Sequence, residues 1–166
     1  MIQSETGFEM DVRGPLNQKT FGPFFKMKIR STLSRPLARD PQWLDNQFGG
    51  WLEGNAVVTP QHEMVNMLRV AYPTGGKVAV VRVSPDGTTA DFDPTRDIID
   101  FPGGAKKFTI RYDKTSDLYW TLSTAVHERH RTGRPGGIRN MLVLGCSRDL
   151  LTWTTRCTLL YHPDTV

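Results

Sequence analysis

The stretch GGWLEGNAVVTPQHEMVNMLRV, residues 49–70, contains two runs of small, apolar and β-branched residues separated by the turn-forming segment TPQHE. Such runs are typical of β-strands, and a short polar break between them predicts a hairpin. The hairpin carries Glu53 near its beginning and Arg69 near its end. If the loop centres on Gln61, the register places Glu53 opposite Arg69.

The same pattern recurs along the chain, whereas long stretches with apolar residues at helical spacing are absent. Pro, Gly, Asp and Ser punctuate the breaks, as in YPTGG, SPDGT and DKTSD. We therefore predict an all-β fold. The predicted strands are residues 24–30, 51–59, 64–71, 77–83, 107–112, 118–123, 141–146 and 154–161.

Two segments of the chain repeat one another. FGG at residues 48–50 recurs as FPGG at 101–104, and SPD at 84–86 recurs as SRD at 147–149. Each unit predicts three strands, a Ser-x-Asp turn held by side-chain hydrogen bonds, and a fourth strand beginning at Phe92 or Trp153. A polar insertion, residues 127–137, lengthens the second unit. Four antiparallel strands repeating every ~50–60 residues are typical of a β-propeller blade.

Known propellers have about four to eight blades. The sequence supplies two units, residues 48–100 and 101–166, and a partial unit, residues 1–47. We therefore predict a partial β-propeller of about two and a half four-stranded blades. The remaining blades would come from missing sequence or from another chain.

Composition is that of an ordinary globular protein, with 38% hydrophobic and 23% charged residues and a net charge of +4. The pI near 9.3 would attract acidic ligands. The basic residues are scattered and form no nucleic-acid-binding motif, so we expect no nucleic-acid partner. No apolar run approaches the ~18 residues of a membrane span. We expect no cofactor and no metal site.

The cysteines and the N-terminus leave two questions open. Cys146 and Cys157 could form a disulfide across a hairpin in an oxidising compartment, or remain two free thiols. The N-terminus lacks the basic and then apolar pattern of a secretory signal. The compartment is therefore unknown, and an extracellular or periplasmic location would be compatible with the full-length protein.

Two stretches resemble the sialidase (neuraminidase) superfamily, whose propellers carry Asp-box, or BNR, repeats. LEGNAVVTPQHEMVNMLRV, residues 52–70, is similar to the family's glutamate, β-branched pair, turn and strand ending in arginine. GIRNMLVLGCSRDLLTW, residues 137–153, is similar to its arginine, apolar strand and Asp-box turn. The resemblance implies a six-bladed ring and a glycoside hydrolase acting on terminal sialic-acid-type sugars.

The resemblance also implies residue roles. Glu53 would be the base that polarises a tyrosine nucleophile, a known exception among glycosidases. Arg69 and Arg139 would be two of three arginines that clamp the substrate carboxylate, since planar guanidinium groups bind carboxylates in bidentate fashion. The nucleophilic tyrosine is expected just past Val166; Tyr161 is the nearest candidate in the chain. We expect the chain alone to be inactive.

Other interpretations remain open. Glu53 and Arg69 could form a plain cross-strand ion pair. The ring could bind glycans or proteins without catalysis. SRDLLTW lacks the usual Asp-box glycine and also resembles five-bladed arabinanase-like furanosidases, which would use carboxylates instead of an arginine clamp. Lys106 or Lys107 could face the channel, and the Ser-x-Asp aspartates, Asp86 and Asp149, are expected to be structural.

Overall fold

The computed structural model describes residues 28–29, 43–103, 107–130 and 135–164. It confirms the predicted all-β fold, since these residues form ten strands and two short 3-10 turns. The 3-10 turns lie at Glu128–His130 and Pro135–Gly137 in the long insertion. The strands are β1 Lys28–Ile29, β2 Trp51–Val58, β3 Met64–Val70, β4 Lys77–Val83, β5 Thr89–Asp91, β6 Ile98–Asp100, β7 Phe108–Asp113, β8 Leu118–Thr124, β9 Met141–Ser147 and β10 Thr154–Tyr161.

The strands form two sheets, and neither sheet is closed. The first has the order β1-β5-β4-β3-β2, with β6 also paired to β4. Its β2, β3 and β4 run antiparallel, whereas β1 pairs with β5 in parallel. The second sheet has the antiparallel order β10-β9-β8-β7. The division of the chain into blades of a ring stays a prediction, and most of the proposed partial unit, residues 1–47, lies outside the described residues.

The first sheet is covered on both faces because β3 and β4 are apolar on both. Leu68 and Ala79 pair on one face, and Met67 and Val80 pair on the other. The first face packs against aromatic residues before β2 and after β5. This core contains Trp43, Phe48, Leu68, Val70, Ala79, Val81, Ala90 and Phe92.

The second face of the first sheet packs against the second sheet. Met67, fully buried, meets residues such as Phe101 and Ile110, which are 4% and 1% exposed. Each buried side chain of this size contributes about 1.5–3 kcal/mol of transfer free energy. We call this cluster the inter-sheet core. Its members are Val57, Val65, Met67, Val78, Val80, Phe101, Ile110, Tyr119 and Leu150.

Both Ser-x-Asp segments form the predicted hydrogen-bonded turns. The Asp86 carboxylate accepts hydrogen bonds from the Ser84 and Thr88 hydroxyls and from the Thr88 backbone N–H. These bonds lower the pKa of Asp86 to about 2. The Asp149 carboxylate accepts backbone N–H bonds 2.8 and 2.7 Å long from Leu151 and Thr152. The two aspartates therefore act as structural turn residues.

The aromatic residues after these turns are both packed in cores. Phe92 contacts the Trp43 ring at a centroid distance of 5.6 Å, in the core of the first sheet. Trp153 contacts Phe101 at 4.9 Å, beside the inter-sheet core. Trp153 directly precedes β10, as predicted.

The fourth strand of the first unit was predicted wrongly. Instead of beginning at Phe92, it is split into β5 before that residue and β6 after it. The interruption is held by Asp97, which is completely buried. Its carboxylate accepts hydrogen bonds from the Arg82 and Arg96 guanidinium groups and from the Asp93 backbone N–H at 2.7–3.0 Å. This network replaces the missing part of the strand pairing.

Two rows of side chains on one face of the second sheet are mostly apolar and partly exposed. Across the paired strands, Leu122, Leu144 and Cys157 share one row, and Thr124, Leu142 and Leu160 share the next. Leu122 is 39% exposed and Leu160 is 67% exposed. We call this surface the open face. It lies opposite the face that carries Ile110 and the buried Val143.

Two further expectations concern membranes and thiols. Within the described part of the chain, no helix is both long and apolar enough to cross a membrane.

Cys146 is buried and Cys157 is exposed, and both are free thiols. They do not pair in register, because Cys146 lies opposite Thr154 while Cys157 lies opposite Leu144.

We predict that Asp97→Asn destabilises the fold by about 2–4 kcal/mol. The substituted amide would turn an NH₂ group toward donors that now face a carboxylate. Asp91→Asn is the matched control, because Asp91 contacts the same Arg96 at 3.4 Å but is 66% exposed. It should cost under about 1 kcal/mol. Urea unfolding followed by circular dichroism would measure both, and equal losses would contradict the assigned role.

Lowering the pH should remove the contribution of Asp97 to the free energy of unfolding. Burial raises the pKa of this carboxyl, but the hydrogen bonds and charges of Arg96 and Arg82 outweigh burial and lower it. A lowered folded-state pKa gives stability above the unfolded value of about 3.9, and that stability is lost as pH falls through the folded pKa. The free energy of unfolding should therefore fall below about pH 4 more steeply in the wild type than in Asp97→Asn. Parallel pH curves would contradict this assignment.

Candidate functional site: a cationic cavity at one edge of the two sheets

A cavity of about 410 Å³ lies at one edge of both sheets. The starts of β2 and β7 and the ends of β3 and β8 meet there, together with the segment before β9. The Ser-x-Asp turns follow β4 and β9 and lie at the opposite ends of the strands. The lining residues are Leu52, Glu53, Arg69, Val70, Ala71, Tyr72, Gly75, Lys107, Thr124, Pro135, Gly136 and Arg139.

The cavity brings together the three residues selected from the sequence. Glu53 and Arg69 come from the hairpin of the first sheet, and Arg139 comes from the segment that enters β9 in the second sheet. Distant parts of the chain therefore converge on one cavity. Whether these residues bind a substrate stays a prediction.

The predicted register holds in most of the first hairpin, and the side chains of Glu53 and Arg69 contact one another where the register becomes irregular. The ladder from Gly54↔Leu68 to Val58↔Met64 has the predicted pairing, and an irregularity precedes Gly54. Arg69 Nη2 donates to Glu53 Oε2 at 2.9 Å. The Glu53 side chain is 46% exposed and that of Arg69 is 15% exposed. The pair thus presents an accessible carboxylate beside a mostly buried guanidinium.

The environment keeps Glu53 ionised. Burial raises its pKa, but a backbone hydrogen bond and the charges of Arg69 and Lys107 outweigh burial and lower it. A carboxylate with a lowered pKa is a weaker proton acceptor. Glu53 is therefore best suited to holding a cation or a hydrogen-bond donor.

Arg139 and Lys107 add two further positive charges. Arg139 is exposed between the buried Ile138 and Asn140, and the Asn140 amide anchors this segment by donating to the His162 carbonyl at 2.7 Å. Lys107 is exposed directly before β7. With Arg69 they give three cations and one carboxylate among the described lining residues, so this part of the lining is positively charged and favours an anionic ligand.

An apolar wall lies beside these charges. Leu52 is 36% exposed, Tyr72 is half-buried against the core of the first sheet, and Pro135 is buried. An aromatic ring and aliphatic carbons next to guanidinium groups would suit a ligand with both apolar and anionic parts. Sequence reasoning missed Tyr72, although its position three residues after Arg69 at the end of β3 was a usable signal.

Of the remaining sequence candidates, Lys107 lines the cavity and Tyr161 does not. Tyr161 is 41% exposed at the end of β10, with its ring 4.9 Å from that of His127, and it does not line the cavity. Lys106 lies outside what the structure describes. Within the described ranges, no three His, Cys, Asp or Glu side chains cluster so that they could hold a metal ion.

Comparison with known proteins identifies no family. No family model and no curated protein matches the chain. Among solved structures, an N-acetylgalactosamine deacetylase from F. plautii in complex with blood group B trisaccharide aligns at 18% identity with a TM-score of 0.42. The alignment covers 69% of this chain and 32% of the deacetylase chain. This similarity is too low to support a functional argument.

We predict that Arg69→Met raises the pKa of Glu53. The substitution removes the guanidinium charge and its hydrogen bond but leaves much of the burial that opposes ionisation. Titration of the Glu53 carboxyl by ¹³C NMR would measure the shift. Lys114→Met is the control, because Lys114 is exposed in the turn at the far end of β7. An unchanged Glu53 pKa in a folded Arg69→Met protein would contradict the coupling.

Proposed function

We propose that the chain is part of a sialidase-like propeller whose cationic cavity binds a carboxylated sugar of the sialic-acid type. The proposal is supported by the convergence of Glu53, Arg69 and Arg139 on one cavity. A sugar carboxylate would occupy the cationic side, where guanidinium groups can donate paired hydrogen bonds. The ring carbons and substituents would contact Leu52 and Tyr72.

In the catalytic version of this proposal, Glu53 polarises a tyrosine nucleophile. A neutral tyrosine suits a substrate that carries a carboxylate on the reacting carbon, since a negatively charged attacking group would be repelled. The phenol needs a nearby base to take its proton. Glu53 is ionised and 46% exposed, so its free surface could accept that hydrogen bond.

Binding without catalysis is the second candidate. It is favoured by the 2.9 Å ion pair, because Arg69 engages the carboxylate and the lowered pKa weakens Glu53 as a base. The furanosidase alternative is less well supported. A furanosidase site has no arginine clamp, so this alternative predicts that Arg69 and Arg139 point away from a shared site, whereas both line the cavity.

The open face supports the incomplete-ring part of the proposal. One face of the first sheet, by contrast, is covered by the second sheet through Phe101 and Ile110. We infer that another four-stranded unit of the same repeat covers the open face in the complete ring. Exposed apolar patches otherwise promote association, and β10 is an edge strand that pairs only with β9 among the described strands.

Ligand binding would test the proposed substrate class. N-acetylneuraminic acid should bind more tightly than its methyl ester, which lacks the charge, and Arg139→Gln should weaken binding of the acid by about tenfold. Isothermal titration or NMR titration would measure both. Arg148→Gln is the control, because Arg148 is exposed in the opposite turn. Equal affinity for acid and ester would overturn the proposal.

Turnover of a fluorogenic sialoside would separate the two candidates. Hydrolysis by the full-length protein that is lost in Glu53→Gln, with ligand binding retained, would favour the enzyme. Binding by the full-length protein without measurable turnover would favour the glycan-binding protein.

The open face predicts self-association of the 166-residue chain. Sedimentation velocity should show larger species as concentration rises, and Leu122→Glu/Leu160→Glu should abolish them by placing charge on the apolar rows. Val58→Glu is the control, because Val58 is 49% exposed on the first sheet. A monomeric wild type that binds no hydrophobic dye would argue against an interface on this face.

A further inference from the structure

Among the residues that the structure describes, the charges of the cavity divide into one ion pair and two cations that form no ion pair with a carboxylate. Arg69 and Glu53 neutralise one another at 2.9 Å. Neither Lys107 nor Arg139 forms an ion pair with any carboxylate of the described residues. The excess positive charge of the cavity therefore comes from Lys107 and Arg139, both of which belong to the second-sheet side.

Lys107 is held close to the Glu53–Arg69 pair by the packing of the first strands of the two sheets. The Asn55 side chain on β2 accepts a hydrogen bond from the Ile110 backbone N–H on β7, which ties the two strands together. Glu53 lies two residues before Asn55, and Lys107 lies three residues before Ile110. Both side chains therefore come from the same end of neighbouring strands, and the Lys107 charge acts on the Glu53 carboxylate.

This arrangement changes which residues are available to a ligand anion. The carboxylate of Glu53 already occupies Arg69 Nη2. A second carboxylate placed there would meet the negative charge of Glu53, which repels it. An anion on the second-sheet side of the cavity would instead meet Arg139 and Lys107, neither of which forms an ion pair with a carboxylate of the described residues.

We propose that Lys107 is a specificity-determining residue, which pairs with Arg139 to hold the carboxylate of the sugar bound in this cavity. The inference rests on the proposed function and changes its residue assignment. Arg139 supplies a planar guanidinium group with paired N–H donors, and Lys107 supplies a compact ammonium group. Together they can contact both carboxylate oxygens. Arg69 then orients Glu53, and the Glu53–Arg69 pair faces the uncharged part of the ligand.

The test compares N-acetylneuraminic acid with its methyl ester on four proteins: the wild type, Lys107→Met, Lys107→Arg and Lys114→Met. Lys114 is the matched control because it is an exposed lysine at the other end of β7. Lys107→Met should weaken binding of the acid by about tenfold and leave the ester unchanged. Lys107→Arg should restore most of the affinity, and Lys114→Met should behave as the wild type.

Salt dependence gives a second readout that a structural defect would not produce. Affinity for the acid should fall with ionic strength in the wild type and fall less steeply in Lys107→Met, because one charge has been removed. Circular dichroism and thermal unfolding would confirm that the variants are folded.

The outcomes separate the two proposals. If the wild type prefers the acid and Lys107→Met keeps that preference in full, the role of Lys107 is wrong and the proposed function stands. If the wild type does not distinguish acid from ester, or binds neither, the proposed ligand class is wrong and the role of Lys107 is wrong with it.

Discussion

The packing of the two sheets across the inter-sheet core is the constraint on which the cavity depends. Met67 from the first sheet and Ile110 from the second are buried in the same cluster. Charged side chains at a strand end have wide conformational freedom, so only a fixed relation between the sheets can hold Glu53 near Lys107. The cavity brings together residues that are far apart in sequence, and the apolar packing of the inter-sheet core, several residues further along the strands, holds them there.

The hydrogen-bonded Ser-x-Asp turns and the candidate site lie at opposite ends of the strands. The Ser-x-Asp turns satisfy their backbone N–H groups with their own side chains, as Asp149 does for Leu151 and Thr152. Asp97 does the same for the interruption between β5 and β6. At the cavity edge, by contrast, Lys107 and Arg139 have no ionic partner among the described carboxylates. The positive charges that a ligand could neutralise therefore lie at the cavity edge, and the Ser-x-Asp turns do not depend on them.

The strands and the register of the first hairpin could be predicted from the sequence because both follow from local pattern. Runs of apolar and β-branched residues mark a strand, and a short loop leaves few ways to pair its two sides. The split around Asp97 could not be predicted, because one of the two guanidinium groups that make its burial favourable, that of Arg82, lies on another strand. In sequence, Asp97 looks like any aspartate in a polar turn.

The candidate site was only partly predictable, for a related reason. Glu53, Arg69 and Arg139 were selected because they match a family pattern, whereas the value of Lys107 depends on its neighbours in space. A lysine before a strand is usually a solvated strand end. Here the lysine, Lys107, lies near Glu53, which is already paired with Arg69. Because that pair is internally neutral, the remaining positive charge of the described lining lies on the side of the second sheet. The proposed position of the anion therefore rests on the charge balance of the cavity, which no single motif encodes.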